Sequence, residues 1–215
     1  MPYIADAKDA EALLQPYLRP APLVVVISGP SGVGKDSVVK RMDEMGCPFH
    51  FVVTVTTRPA RPGEVDGVDY YFVSYAEFQR MRRDDELLED ADVYGQCKGV
   101  LRKDVRKGLA SGRDVVMRLD VNGAATIRIK IPQTVSIFLV PPSLDVLVDR
   151  LRRRPGDSPA QVQARLRMAR HELEQAREFD YVVVNREGEL DDAVRQVTAI
   201  MTAERCRSVR QPITL

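Results

Sequence analysis

Apolar residues along this chain fall into two alternating patterns. The run LVVVIS (23–28) is apolar until its final serine and mostly β-branched, as suits a short strand covered on both faces. Similar runs recur as FHFVVTVTT (49–57), VVMRLDV (115–121), VSIFLV (135–140) and YVVVN (181–185). Between them apolar positions return at helical spacing: after the first strand through Val38, Val39 and Met42, then near 101–111, 122–130, 143–153, 159–178 and 189–205. Strands separated by helices predict an α/β fold, a parallel five-stranded sheet with helices on both faces. Residues 1–22 carry acids and prolines and read as an N-terminal extension with a short helix near 5–14. Two stretches break the alternation. Residues 54–100 are rich in Arg, Gly, Asp, Glu and Tyr with short strands such as DYYFV, and LRRRPGDSPAQVQARL (151–166) is basic and holds two prolines. Such insertions commonly carry a second ligand and a closing lid.

The first strand runs into VVVISGPSGVGKDSVV (24–39). A strand, a glycine-rich turn and a helix in that order form the phosphate-cradling loop of nucleoside-triphosphate enzymes. The turn Gly29, Pro30, Ser31, Gly32, Val33, Gly34 lets backbone N–H groups converge on phosphate oxygens, and the following helix adds the positive end of its dipole. Lys35 supplies a point charge to the outer phosphates, and Asp36 and Ser37 open the helix. This predicts a P-loop NTPase core that binds a nucleoside triphosphate. Asp36 stands where a hydroxyl is expected.

Composition narrows the partners. The 215 residues carry a formal net charge of +1, which argues against a nucleic-acid-coating protein or an acidic solvating tail. Cys47, Cys97 and Cys206 are scattered and odd in number, so a reducing, cytoplasmic location without a disulfide framework is expected. No apolar stretch approaches the roughly 20 residues that cross a bilayer, and no signal-type apolar core precedes the first strand. The expected partners are small molecules, with no nucleic acid and no membrane.

The second ligand is read from TVTTRPARPGEVDGVDYYFV (54–73), where Arg58 and Arg61 are followed by Glu64, Gly67 and Tyr70. Two guanidiniums and a tyrosine hydroxyl can grip a phosphate dianion through charge-assisted bonds. This stretch resembles the signature of guanylate kinases. The resemblance extends from about residue 23 to 205 through LLEDADVYG (87–95), DVNGA (120–124), IFLVPPS (137–143), RLRRR (150–154) and DYVVVN (180–185). Its details are most similar to the subgroup that includes plant-organelle enzymes, although no transit-like leader is seen. The resemblance implies phosphorylation of GMP, and of dGMP, by ATP with Mg²⁺, in purine nucleotide metabolism and GMP recycling. It also implies a core of 23–53, 101–142 and 176–215, a GMP-binding region of 54–100 and a lid of 143–175, in a monomer or weak homo-oligomer.

By position, the resemblance places Arg58, Arg61, Glu64 and Tyr70 with Lys98 around the GMP phosphate, and Thr54, Glu89 and Asp120 toward guanine. Glu89 is the discriminating residue: a carboxylate accepts from N1–H and the 2-amino group of guanine, whereas adenine has an acceptor at N1 and no 2-amino group. Lys35, Arg58 and the lid arginines Arg150, Arg154 and Arg165 are the implied catalytic set, and Asn185 is placed near ATP. Four residues depart from the common pattern: Asp36 for Ser or Thr, Arg118 for an acid, Lys98 for tyrosine and Val100 for a small hydroxyl residue. An acid gained at 36 and lost at 118 suggests a charge swap within one site, with Asp36 meeting Mg²⁺ through its water shell. Two other readings stay open on sequence: a ribose 1,5-bisphosphate phosphokinase, which shares a GKDS-type loop but does not need the GMP signature, and a non-catalytic guanylate-kinase-like scaffold, which typically degrades the loop.

Overall fold

The computed structural model describes residues 7–93, 95–153, 159–211 and 213–215. Helix α1 (Ala7–Leu18) precedes β1 (Val24–Ser28), and the phosphate-loop segment leads into α2 (Lys35–Glu44). β2 (Phe49–Phe51), β7 (Asp114–Arg118), β8 (Val135–Val140) and β9 (Tyr181–Val184) complete a parallel sheet in the order β2-β7-β1-β8-β9. β1 is the central strand, so both of its faces must be covered, which explains its unbroken apolar run. Val25 and Ile27 pack with Val38, Met42, Val194 and Val197, under α2 and α8 (Leu190–Arg205). Val24 and Val26 pack on the other face with Val105, Ala124 and Ile127, under α4 (Arg102–Ala110) and α5 (Val121–Lys130).

The stretch 54–100 forms a second sheet. β3 (Thr54–Thr56), β4 (Tyr71–Phe72), β5 (Leu87–Val93) and β6 (Gln96–Leu101) run in the order β4-β3-β6-β5, with α3 (Tyr75–Arg83) packed on them through fully buried Phe78. This corrects the single strand expected over 49–57. The chain leaves the parallel sheet after Val52, whose N–H still donates to Val116 O at 3.0 Å, and rejoins antiparallel to β6 at Thr54. β-branched residues suit either sheet, so their pattern alone does not mark the switch.

Other boundaries shift for local reasons. α1 runs through Pro16 to Leu18, beyond the expected 5–14. The strand expected over 115–121 stops at Arg118, because Asp120 caps α5 by accepting from the N–H groups of Asn122 (3.0 Å) and Gly123 (2.9 Å). The helix expected over 159–178 divides into α7 (Pro159–Glu174) and a 3₁₀ turn (Gln175–Glu178). α7 packs on α6 (Leu144–Arg152) through Leu147, Leu151 and Ala169.

Candidate active site

The phosphate-loop end of β1, the open face of the second sheet and the α6–α7 pair surround one cavity of about 400 Å³. The loop owes its course to glycine. Gly34 has φ 101°, and a Cβ there would lie 2.4 Å from Asn185 Nδ2. That amide is committed to the loop, donating to Val33 O at 2.8 Å. Lys35, at the first turn of α2, folds back onto the loop and donates from Nζ to Gly29 O (2.5 Å) and Pro30 O (3.2 Å). Burial lowers its pKa, while Glu172, Asp36 and Asp120 favour the charged form.

Ser31, Gly32, Gly34, Lys35, Asp36 and Ser37 line the cavity from the loop side. From above, Arg150 donates to Val33 O (3.2 Å) and Asn185 O (3.0 Å), and Arg165 donates to Ser31 Oγ (3.0 Å). Both arginines therefore hold the phosphate loop itself, and both line the cavity. Arg154 lies outside the described residues.

On the opposite wall, the register aligns Thr54 and Glu89 on either side of Val100 across β3, β6 and β5. Thr54 and Glu89 are buried yet line the cavity, with Asp120 beside them. α5 approaches so closely that a Cβ on Gly123 would sit 2.8 Å from Glu89 Oε1. Burial pushes the Glu89 carboxyl up to about 8, helped by Asp120 and Asp90 and opposed by Lys130 and Lys98. Lys98 is pushed down to about 8 by burial, helped by Lys35 and Arg118 and opposed by Asp120 and Asp36.

Arg58, Arg61 and Tyr70 form the remaining wall. Glu64 stands behind it and does not line the cavity. It accepts from both terminal nitrogens of the Arg58 guanidinium (2.6 and 2.5 Å) and from the Arg61 backbone N–H (2.8 Å), so it holds the Arg58 fork and the Arg61 backbone in place. Asn185, Gly29, Pro30 and Val33 are likewise behind the lining and shape the loop. Arg118 pairs with Asp36, Nη1 to Oδ1 at 2.6 Å, with only 9% of its side chain exposed.

Sequence reasoning missed Glu172. It is buried, lines the cavity, and accepts from Ser31 N–H at 3.4 Å; burial raises its pKa, with Lys35 and Arg165 opposing. Its spacing from Arg165 and Ala169 puts all three on one helical face, a signal too weak by itself to separate it from a solvated acid in the run HELE. His50, by contrast, is structural, 3.0 Å from Asp104 Oδ1.

A phosphate loop on the central strand of a parallel sheet, facing an arginine wall and a buried acid on a second sheet, defines a P-loop phosphotransferase. The family model described as guanylate kinase matches residues 22–204, and the chain belongs to that family. Guanylate kinase 2, chloroplastic/mitochondrial, of Oryza sativa subsp. japonica is 46% identical over 197 residues, covering 91% of this chain and 69% of its own length. A guanylate kinase of Chelativorans sp. is 43% identical over 196 residues, 91% of this chain and 89% of its own length. The crystal structure of guanylate kinase from Anaplasma phagocytophilum aligns with a TM-score of 0.73 at 31% identity, covering 87% of this chain and 88% of that one. The chain is an enzyme of this family, transferring a phosphoryl group from ATP to GMP to give GDP.

Proposed function

We propose that the transfer takes place in the cavity between the two sheets, with GMP on the second sheet and ATP on the phosphate loop. The observation that supports this reading is the meeting of Lys35, the Arg58–Arg61–Tyr70 wall and buried Glu89 in that one cavity. Glu89 and Thr54 read guanine, with Asp120 beside them. Arg58, Arg61, Tyr70 and Lys98 hold the GMP phosphate, and Glu64 fixes the Arg58 fork. Loop N–H groups and Lys35 hold the donor phosphates, while Asn185 keeps the loop in shape. Residues 54–100 serve as the GMP-binding region and 143–175 as the lid on a core of 23–53, 101–142 and 176–215.

The residues present suit Mg²⁺ of the kind held chiefly by substrate phosphates and water. Among the described residues no cluster of three or more His, Cys, Asp or Glu could hold a metal alone, and Asp36 offers a hard oxygen beside the loop, its side chain 66% exposed. Asp36 would hold the ion through its water shell, and the ion when bound neutralises phosphate charge. The chain's own part is positional: Lys35, Arg150 and Arg165 bring charge to the transferring group, and α7 carries Arg165 toward it. The chain works as a monomer or weak oligomer on GMP and dGMP. A position near the subgroup that includes plant-organelle enzymes is supported by the 46% identity to the Oryza sativa enzyme, and the chain's three free cysteines suit the cytoplasm.

A coupled assay of ADP formation with GMP, dGMP, AMP and ribose 1,5-bisphosphate tests the reading. Turnover with GMP and dGMP and a strong preference over AMP are expected; activity with the sugar alone overturns it. Arg165→Ala is expected to lower kcat ~10–100-fold while leaving GMP affinity within about twofold, because it engages the donor side only. Weaker GMP binding at unchanged turnover would contradict that role.

GMP binding is also expected to change its proton linkage across about pH 8. At about pH 7 Glu89 is mostly protonated in the empty site and must lose its proton to accept from guanine, so binding releases close to one proton. At about pH 9 Glu89 is already ionised and Lys98 is mostly neutral, so the phosphate draws a proton onto Lys98 and binding takes one up. Affinity therefore rises toward about pH 8 and falls beyond it. Calorimetry in buffers of different ionisation enthalpy reads the sign, and a single sign throughout would contradict the assignment.

A further inference from the structure

Arg118 sits at the end of β7 and touches both halves of the cavity. On one side it pairs with Asp36 in the first turn of α2 (2.6 Å). On the other its Nη2 donates to Asp69 O (3.3 Å), and its guanidinium lies 4.7 Å from the centroid of the Tyr70 ring. The Arg58 guanidinium lies 4.8 Å from the same centroid, so Tyr70 is packed against two cations. The Phe51 ring is 5.6 Å from Arg118 and helps hold its plane. Burial disfavours the Arg118 charge, and Asp36, Tyr70 and Asp69 favour it. A buried guanidinium keeps its place only while such partners hold it.

We infer that Arg118 is a positioning residue through which Asp36, on the ATP side, sets the GMP-phosphate wall at Asp69 and Tyr70. Asp36 fixes the orientation of the guanidinium fork, and the fork fixes the Tyr70 ring against Arg58. Loss of Asp36 is then felt at the GMP site, which Asp36 itself does not form. The inference rests on the reading of Arg58, Arg61 and Tyr70 as the GMP-phosphate site.

The test is calorimetric titration of GMP and, separately, of ADP into the full chain in EDTA, so that neither turnover nor metal binding enters. Asp36→Asn is expected to weaken GMP about fivefold or more through loss of the shared network, without weakening ADP, because the change removes a negative charge from beside the loop. A general folding defect would weaken both ligands. Arg118→Met should weaken GMP at least as much, and adding Asp36→Asn to it should change GMP affinity by less than about twofold. Arg118→Lys, which keeps charge but not the flat fork, should fall between wild type and Arg118→Met, and it replaces that variant in the cycle if the methionine chain does not fold. GMP affinity of Asp36→Asn within twofold of wild type overturns the inference. So does tighter binding, which would mean that Asp36 competes with the phosphate for Arg118. If wild type itself does not bind GMP, the site reading fails instead.

Discussion

Glu89→Gln is expected to lower kcat/KM for GMP by ~100-fold or more and, in the same molecule, to stabilise the ligand-free fold at neutral pH. The loss follows from what the pocket offers. Glu89 is 3% exposed, held in the row of β3, β6 and β5, with α5 closed over it at Gly123. Two charge-assisted bonds from guanine N1–H and the 2-amino group contribute ~3 kcal/mol together, and a glutamine presents an NH₂ group to those donors. Rejection of AMP should weaken correspondingly, since the preference rests on the two bonds that the carboxylate makes only to guanine.

The gain in stability has the same cause. Folding raises the Glu89 pKa from its ordinary carboxyl range to about 8 by burial, with Asp120 and Asp90 adding. Between those limits the folded chain binds more protons than the unfolded one, so stability falls as pH rises, until the carboxyl is ionised in both states. The neutral amide does not titrate. Its advantage should therefore be small near pH 4.5 and grow to roughly 2–4 kcal/mol by about pH 8. Steady-state kinetics with GMP and AMP, and urea unfolding across this pH range, check both halves. Unchanged GMP kinetics would remove Glu89 from base recognition, and a stability difference flat with pH would remove its perturbed ionisation.

Lys35→Met is expected to lower kcat by ~1000-fold, with little loss of thermal stability. The ammonium rests on the carbonyls of Gly29 and Pro30, at the mouth of the loop that should receive the phosphates. A preorganised charge at that position acts on the transferring group, and its removal costs on the order of 4 kcal/mol of transition-state stabilisation. Burial already penalises the charged lysine. A methionine of similar length removes that penalty, offsetting the lost bonds to the two carbonyls, so the melting temperature should move by only a few degrees. Turnover assays paired with thermal melts check this. A large fall in melting temperature would show that Lys35 mainly braces the loop.

The readable parts of this protein are those encoded within a few consecutive residues. Mostly apolar runs marked the five strands of the parallel sheet, and the central strand β1, covered on both faces, is apolar at every position but its last. The glycines and Lys35 marked the phosphate loop, because a backbone turned toward an anion needs left-handed conformations and one charge at a fixed spacing. The arginine pair with Tyr70 was legible for the same reason. Local pattern was silent where partners come from distant segments. It did not show that residues 49–57 divide between two sheets, since β-branched residues suit both. It did not separate Glu172 from a surface acid, or Glu64 as a support for Arg58 from Glu64 as a ligand contact, because burial and facing depend on what packs opposite. The exchange of charge between Asp36 and Arg118 was visible as two unusual residues; only the parallel register of β1 and β7, which sets the end of one strand beside the helix that follows the other, made them an ion pair.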